Sequence, residues 1–268
     1  GVSSAASDVY KRQANSAQGI YGVAIGQQAG LTNQGQYATA VGMAAGQVSQ
    51  GNFATAVGYN SGGASYTGIP GISSVAVGDS AGQNQKDYGI AIGRIAGYTQ
   101  NNFAIAVGYA SGYIQASNSI SIGTQSGAAG QSTNATAIGY SAGYNAQGNN
   151  SVAVGPQAGY TNQGLTAVAI GTNAGFNTQG SNTVAIGTGA GKTSQGNQSV
   201  AIGDGAGSSS QSSQAIAVGL SAGATSQGNQ GIALGWFAGQ SSQGTAGVAI
   251  GTQAGNSNQG TQSVAVGI

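Results

Sequence analysis

One short unit recurs along almost the whole chain and limits what the chain can fold into. Ser199-Val200-Ala201-Ile202-Gly203 is its fullest form. Near-copies of Val-Ala-Ile-Gly close on Gly26, Gly42, Gly58, Gly78, Gly93, Gly108, Gly123, Gly139, Gly155, Gly171, Gly187, Gly203, Gly219, Gly235, Gly251 and Gly267. Most of these glycines stand 16 residues apart; three intervals, from Gly78 to Gly123, are 15, and the one from Gly58 to Gly78 is 20. A fixed period this short marks a solenoid in which each repeat is one turn. The expected fold is all-β: a parallel β-solenoid, or β-roll, of about sixteen turns of 15–16 residues.

Positions are counted from each closing glycine. Position +3 is usually Ala and +4 is nearly always Gly, as in Ala158-Gly159, Ala190-Gly191 and Ala254-Gly255. Position +8 is Gln, usually followed by Gly; it includes Gln163, Gln179, Gln195, Gln211, Gln227 and Gln243. In the 15-residue repeats this Gln stands at +7, so the deletion precedes it. The last three positions before the next closing glycine read Val or Ile, then Ala, then Val, Ile or Leu, with Ser121 an exception in the middle.

Val-Ala-Ile is a short strand whose side chains alternate between two faces. Stacked turns lie about 4.8 Å apart, so each position becomes a ladder of like residues. The Ala-Gly and Gln-Gly steps supply corners, where glycine takes positive φ without steric cost. The Gln column reads as a structural ladder bonding amide to amide along the axis; a binding role is the alternative. The face of Val-Ala-Ile that points inward is open. With Val and Ile inside, Ala lines a flat outer strip. With Ala inside against the +3 Ala, the turn is thin, and the Val/Ile face is an apolar stripe that needs cover. Either way the core per turn is small, which favours oligomerisation.

The chain has 268 residues, of which 3% are charged, and it has neither Cys nor His. Outside residues 1–13 the charges are Asp79, Asp87 and Asp204 against Lys86, Arg94 and Lys192. A neutral repeat region lacks the clustered cations that a nucleic-acid partner needs. No apolar run approaches the roughly 20 residues of a membrane-spanning helix, so no membrane insertion of this segment is expected. Without His or Cys there is no nucleophile–base pair or zinc site, and three scattered aspartates do not make a carboxylate pair. The Gly-x-x-Ala-Gly strings are corners, not phosphate loops, since no P-loop Lys follows them. No enzyme activity, cofactor or metal is expected.

Two segments break the period. Residues 1–13 carry three of the nine charges, and Val2 to Gln13 resembles a translated sequencing-adapter artefact; the alternative is a short natural leader or cap. The solenoid domain is expected over residues 14–268, with a loop insertion near 61–74, where Gly62 to Gly71 lack the Gln and include Pro70. Extra residues in one turn bulge outward as a loop. Aromatics form two sets. Tyr21, Tyr37, Phe53, Tyr88 and Phe103 stand five residues before a closing glycine, and Tyr98, Tyr113, Tyr144, Tyr160 and Phe176 five residues after one. Each set is expected to form a stripe. Its two readings are packing over the corners and, for Tyr98, Tyr113, Tyr144, Tyr160 and Phe176 in particular, a surface for a sugar or protein partner.

Asn150 to Gly155 (Asn-Ser-Val-Ala-Val-Gly) and Gln198 to Gly203 (Gln-Ser-Val-Ala-Ile-Gly) resemble the head repeats of trimeric autotransporter adhesins, the YadA-like heads, and similar repeats of phage and viral tail fibres. The resemblance covers about residues 14–268. It implies a parallel β-roll, often left-handed, three chains side by side, and a surface that binds host matrix or cell-surface molecules. Here the period is mainly 16 against the usual 14 or so, and the recurrent Gln-Gly is unusual. The functional expectation is a structural and adhesive part of an extracellular fibre, on a cell or virion surface. Its partners would be itself, as a homo-oligomer, and a glycan or host surface protein. A second reading is a subunit of a self-assembling filament. A third is ice binding by a flat face, which wants a regular Thr column; position +6 offers Thr32, Thr99, Thr161, Thr193 and Thr225, interrupted by Asn, Ser, Val and Ala.

Overall fold

The computed structural model of the chain describes residues 16–63 and 71–267. The leader at 1–13 and residues 64–70 of the insertion lie outside the described residues. The described residues form β-strands and turns with no helix. They fall into two compact units, residues 1–133 and 134–268, and each is a parallel β-solenoid.

Each turn contributes a strand at Val-Ala-Ile. In the second unit these strands run from Thr136–Ile138 and Val152–Val154 through Val200–Ile202 to Val264–Val266. Every one pairs in parallel with the next turn, like over like: Val152 with Val168, Ala153 with Ala169, Val154 with Ile170. In the first unit the same register runs from Val23–Ile25 to Ile120–Ile122. It survives the long turn, since Thr55–Val57 pairs directly with Val75–Val77. The extra residues of that turn therefore cost the sheet nothing in register.

The Gln ends the strand of a second sheet. In the second unit this sheet holds Asn145–Gln147, Thr161–Gln163, Asn177–Gln179, Thr193–Gln195, Ser209–Gln211 and Thr225–Gln227. Only the first and last residues of each strand find partners, as with Thr161 to Asn177 and Gln163 to Gln179. The middle residue is a left-handed bulge, with φ of 52° at Asn162 and 56° at Thr178. In the 15-residue turns the strands shrink to Asn84–Gln85, Thr99–Gln100 and Ile114–Gln115. The residue those turns lack is the bulge, which takes no part in the ladder, so its loss leaves the pairing intact.

The structure settles which face is inside. Ala occupies the core: Ala153, Ala158, Ala169, Ala174, Ala185 and Ala190 are fully buried in one continuous cluster. Val and Ile of the same strands point outward and remain partly or largely exposed, with Ile170, Ile202 and Ile250 36–40% accessible. The turn is thin because the sheet-to-sheet space is filled by alanine methyls and one Gln per turn. Closing glycines serve the other direction, the close stacking of one turn on the next. Gly203 has φ +124°, and a Cβ there would stand 2.6 Å from the carbonyl oxygen of Gly219 in the next turn.

Candidate functional site

The interior polar column is built by two residues acting together. Gln163, Gln179, Gln195, Gln211 and Gln243 are 1–2% exposed, and Gln227 is fully buried. Each reaches across the turn to the opposite strand. The Nε2 of Gln163 donates to the Val152 carbonyl at 2.8 Å, that of Gln179 to Val168 at 2.8 Å, and that of Gln195 to Val184 at 2.9 Å. The Gln amide thus ties the two sheets together inside every such turn. Space for it comes from the +4 glycine. At Gly191, whose φ is +53°, a Cβ would lie 2.5 Å from the Gln195 Oε1.

Amide-to-amide bonding along the axis is present in only part of the column. Gln211 donates to Gln227, Gln227 to Gln243 and Gln243 to Gln259, each at 3.1 Å. The first unit has a similar run from Gln85 through Gln100 and Gln115 to Gln131. By contrast, the Oε1 atoms of Gln163, Gln179 and Gln195 are buried without a partner. Ser121, the one departure from Ala in its column, is buried and donates to the Gln131 Oε1 at 2.6 Å. All these amides face the interior, out of reach of a partner molecule.

The aromatics form ladders in which each ring lies on the next. Tyr98 and Tyr113 stack at 4.8 Å, Tyr144 and Tyr160 at 5.1 Å, and Tyr160 and Phe176 at 5.0 Å, all within 9° of parallel. Tyr113 is exposed and the other four are half-buried. Since the ring faces meet one another, edges and phenol hydroxyls are what most of each ladder offers a partner. On the other edge of the Val-Ala-Ile sheet Tyr37, Phe53, Tyr88 and Phe103 are half exposed, in stacked pairs at 5.1 and 4.9 Å. Asp79 and Arg94 pair at 3.2 Å on the surface, and Arg94 covers the Tyr109 ring at 5.7 Å.

The outward Val/Ile face, whose direction alternation alone leaves undecided, carries exposed apolar side chains along both units. In the first unit Val23, Ile25, Ile92 and Ile122 are at least 39% exposed. In the second, Ile138, Ile170, Ile202 and Ile250 are exposed along one row, with half-buried Val154, Ile186, Val218 and Leu234 between them. Residues just past the closing glycine extend the face sideways: Met43, Tyr59 and Tyr109 in the first unit, Tyr140, Leu220 and Trp236 in the second, all 44–54% exposed. Among the described residues no cluster of His, Cys, Asp and Glu could hold a metal, and no helix is long and apolar enough to cross a membrane.

The family model of the YadA head domain repeat matches residues 131–158, in two copies. That stretch begins at Gln131 and holds the Thr136–Ile138 and Val152–Val154 strands with Gln147 between them. The chain therefore carries repeats that resemble those of YadA heads, on an all-β parallel solenoid. No curated protein matches the chain.

Proposed function

We propose that the chain is a structural and adhesive repeat domain of an extracellular fibre, displayed on a cell or virion surface, and that it self-associates through its Val/Ile face. The observation behind this reading is the inverted use of apolar residues. Alanine fills the interior, while Val and Ile stand outside in two in-register rows. Contiguous apolar patches beyond a few hundred Å² rarely stay exposed on a monomer. A flat face made of identical rungs is self-complementary in chemistry, so a second copy covers it without new sequence. Three copies side by side is the stoichiometry that the likeness to YadA repeats suggests. The remaining surface is then the adhesive one, and the Tyr98–Tyr113 and Tyr144–Tyr160–Phe176 ladders are the parts offered to a glycan or a host surface protein.

The test is molar mass by light scattering for the wild type and for Ile170→Asp/Ile202→Asp. A multiple of the chain mass, falling to that of one chain in the variant with an unchanged circular dichroism spectrum, is the expected result. A monomeric wild type, or a variant that keeps the full assembly, would overturn the reading. Adhesion is read separately, as binding of the wild type and of Tyr113→Ser/Tyr160→Ser to immobilised glycans and matrix proteins.

A further inference from the structure

We propose that the outward face of the second sheet, in residues 134–268, binds the surface of an ice crystal. This face is opposite in character to the Val/Ile face. Its first row is Asn145, Thr161, Asn177, Thr193, Ser209, Thr225, Ser241 and Ser257, paired in parallel register without a break. Its second row is the left-handed bulge: Ala146, Asn162, Thr178, Ser194, Ser210, Ser226, Ser242 and Asn258, and every member is exposed. Apart from Ala146, both rows consist of hydroxyl and amide side chains, all short and none ionisable.

The fold does not impose this composition. In the first unit the same row carries Val48, Ile114 and Ala129, and three of its turns omit the bulge. An ordinary solvated surface would be about a quarter to a third charged. Neither row carries a charge, and the whole chain is only 3% charged, so the partner is an uncharged one. Short side chains on a rigid sheet select one that is flat and comes close. Parallel pairing fixes the rungs about 4.8 Å apart, so weak single contacts add only against a partner that repeats on the same scale. The hydroxyls of Thr161, Thr193, Thr225, Ser194, Ser210, Ser226 and Ser242 make no hydrogen bond within the described residues and are free to take the place of lattice water. Crystalline polysaccharide also repeats, but sugars are best held by aromatic side chains, and neither row has one.

The experiment measures freezing-point hysteresis and the fraction of protein taken into slowly grown ice. It compares the wild type, two row variants (Thr193→Lys/Thr225→Lys and Ser194→Lys/Ser226→Lys) and a corner control, Asn229→Lys/Thr245→Lys. Circular dichroism checks the fold of each. Hysteresis and uptake in the wild type and control, lost in the row variants, is the expected result. A wild type excluded from ice, or row variants that keep both signals, overturns the proposal. Sedimentation with microcrystalline cellulose in the absence of hysteresis overturns it in favour of a polysaccharide surface. A row-dependent fall in molar mass without hysteresis overturns it in favour of a second copy. The Val/Ile variants above report on self-association independently, so either reading can fail alone.

Discussion

Three glutamines of identical type should cost different amounts to replace, and the structure gives the order. Each is changed to Met, an unbranched side chain of similar length without the amide. The two Nε2 hydrogens of Gln227 are shared among the carbonyls of Ile216 at 2.8 Å and Gly231 at 3.0 Å and the Gln243 Oε1 at 3.1 Å, and its own oxygen accepts from Gln211 at 3.1 Å. Its loss removes bonds worth about 0.5–1.5 kcal/mol each and strands the buried Gln243 oxygen, so the expected cost is about 2–4 kcal/mol. Gln195 makes one bond, to Val184, and its own Oε1 is already buried without a partner. Replacement loses the bond but also removes the stranded oxygen, and the two nearly offset, leaving about 0–1 kcal/mol. Gln198 is exposed and accepts one 3.2 Å bond from Gln214; its cost should stay within about 0.5 kcal/mol. Urea unfolding midpoints in one background, at constant slope, measure the three. Neighbouring turns unfold together in a solenoid, so amide hydrogen exchange around each site should localise the loss. Equal costs at Gln227 and Gln195, or a larger cost at Gln195, would refute the argument that partner count inside the column sets stability.

Two glycines two residues apart give a second test. Gly189→Ala meets nothing within 4 Å and pays only for φ of +63°, about 1–2 kcal/mol; Gly191→Ala has the same strain and also drives a Cβ to 2.5 Å from the Gln195 Oε1, adding about 1–3 kcal/mol. Thermal melts should rank them in that order. A one-residue deletion gives a third. Removing Thr178, a bulge outside the ladder, should yield a folded chain whose Gln179 remains protected in hydrogen exchange, whereas removing Gln179 should collapse protection in its own turn.

How much of this was legible in the sequence depends on what each position does. The fold was, because parallel stacking repeats the same contact every turn, and a periodic contact leaves a periodic sequence. Residue 121 shows how fine that signal is: a single Ser among alanines marks a buried hydroxyl bonded to Gln131. That the 15-residue deletion precedes the Gln was also readable. Its meaning was not, since left-handed φ at Asn162, Thr178 or Ser210 needs no glycine and so leaves no mark. The inward face of Val-Ala-Ile was undecidable for a related reason. Alternation says that Val and Ile share a face but not which side it takes, and the habit of placing larger residues inside would have chosen wrongly. What decides is the space between the sheets. Across the turn, a Cβ on Gly191 would lie 2.5 Å from the Gln195 Oε1 and 3.3 Å from the Ala185 Cβ, and at that spacing alanine fits inside and isoleucine does not. The Ser/Thr/Asn rows at 145–258, broken only by Ala146, were hidden because position +6 is mixed over the whole chain, and becomes uniform in kind only when the second unit is read alone.

The thin interior has a consequence for stability. An alanine pair per turn buries few methyls, and burying a whole Val or Ile side chain is worth about 1.5–3 kcal/mol. Those side chains lie outside, 36–40% exposed at Ile170, Ile202 and Ile250, so up to about 1 kcal/mol for each is withheld until the face is covered. The column of glutamines holds the two sheets together in the meantime, through bonds that close within one turn and need no partner chain. An interior of this kind sets the shape of the turn with small, directional groups and leaves the non-directional driving force on the surface. The proposed association would then complete what an ordinary core would have supplied within one chain. It also explains why so few charges suffice: four of the six outside the leader, Asp79, Lys86, Asp87 and Arg94, gather within one stretch of the first unit, and the long Val/Ile rows of the second unit run with only Lys192 and Asp204 in their turns. A face meant to stay wet would not be built that way.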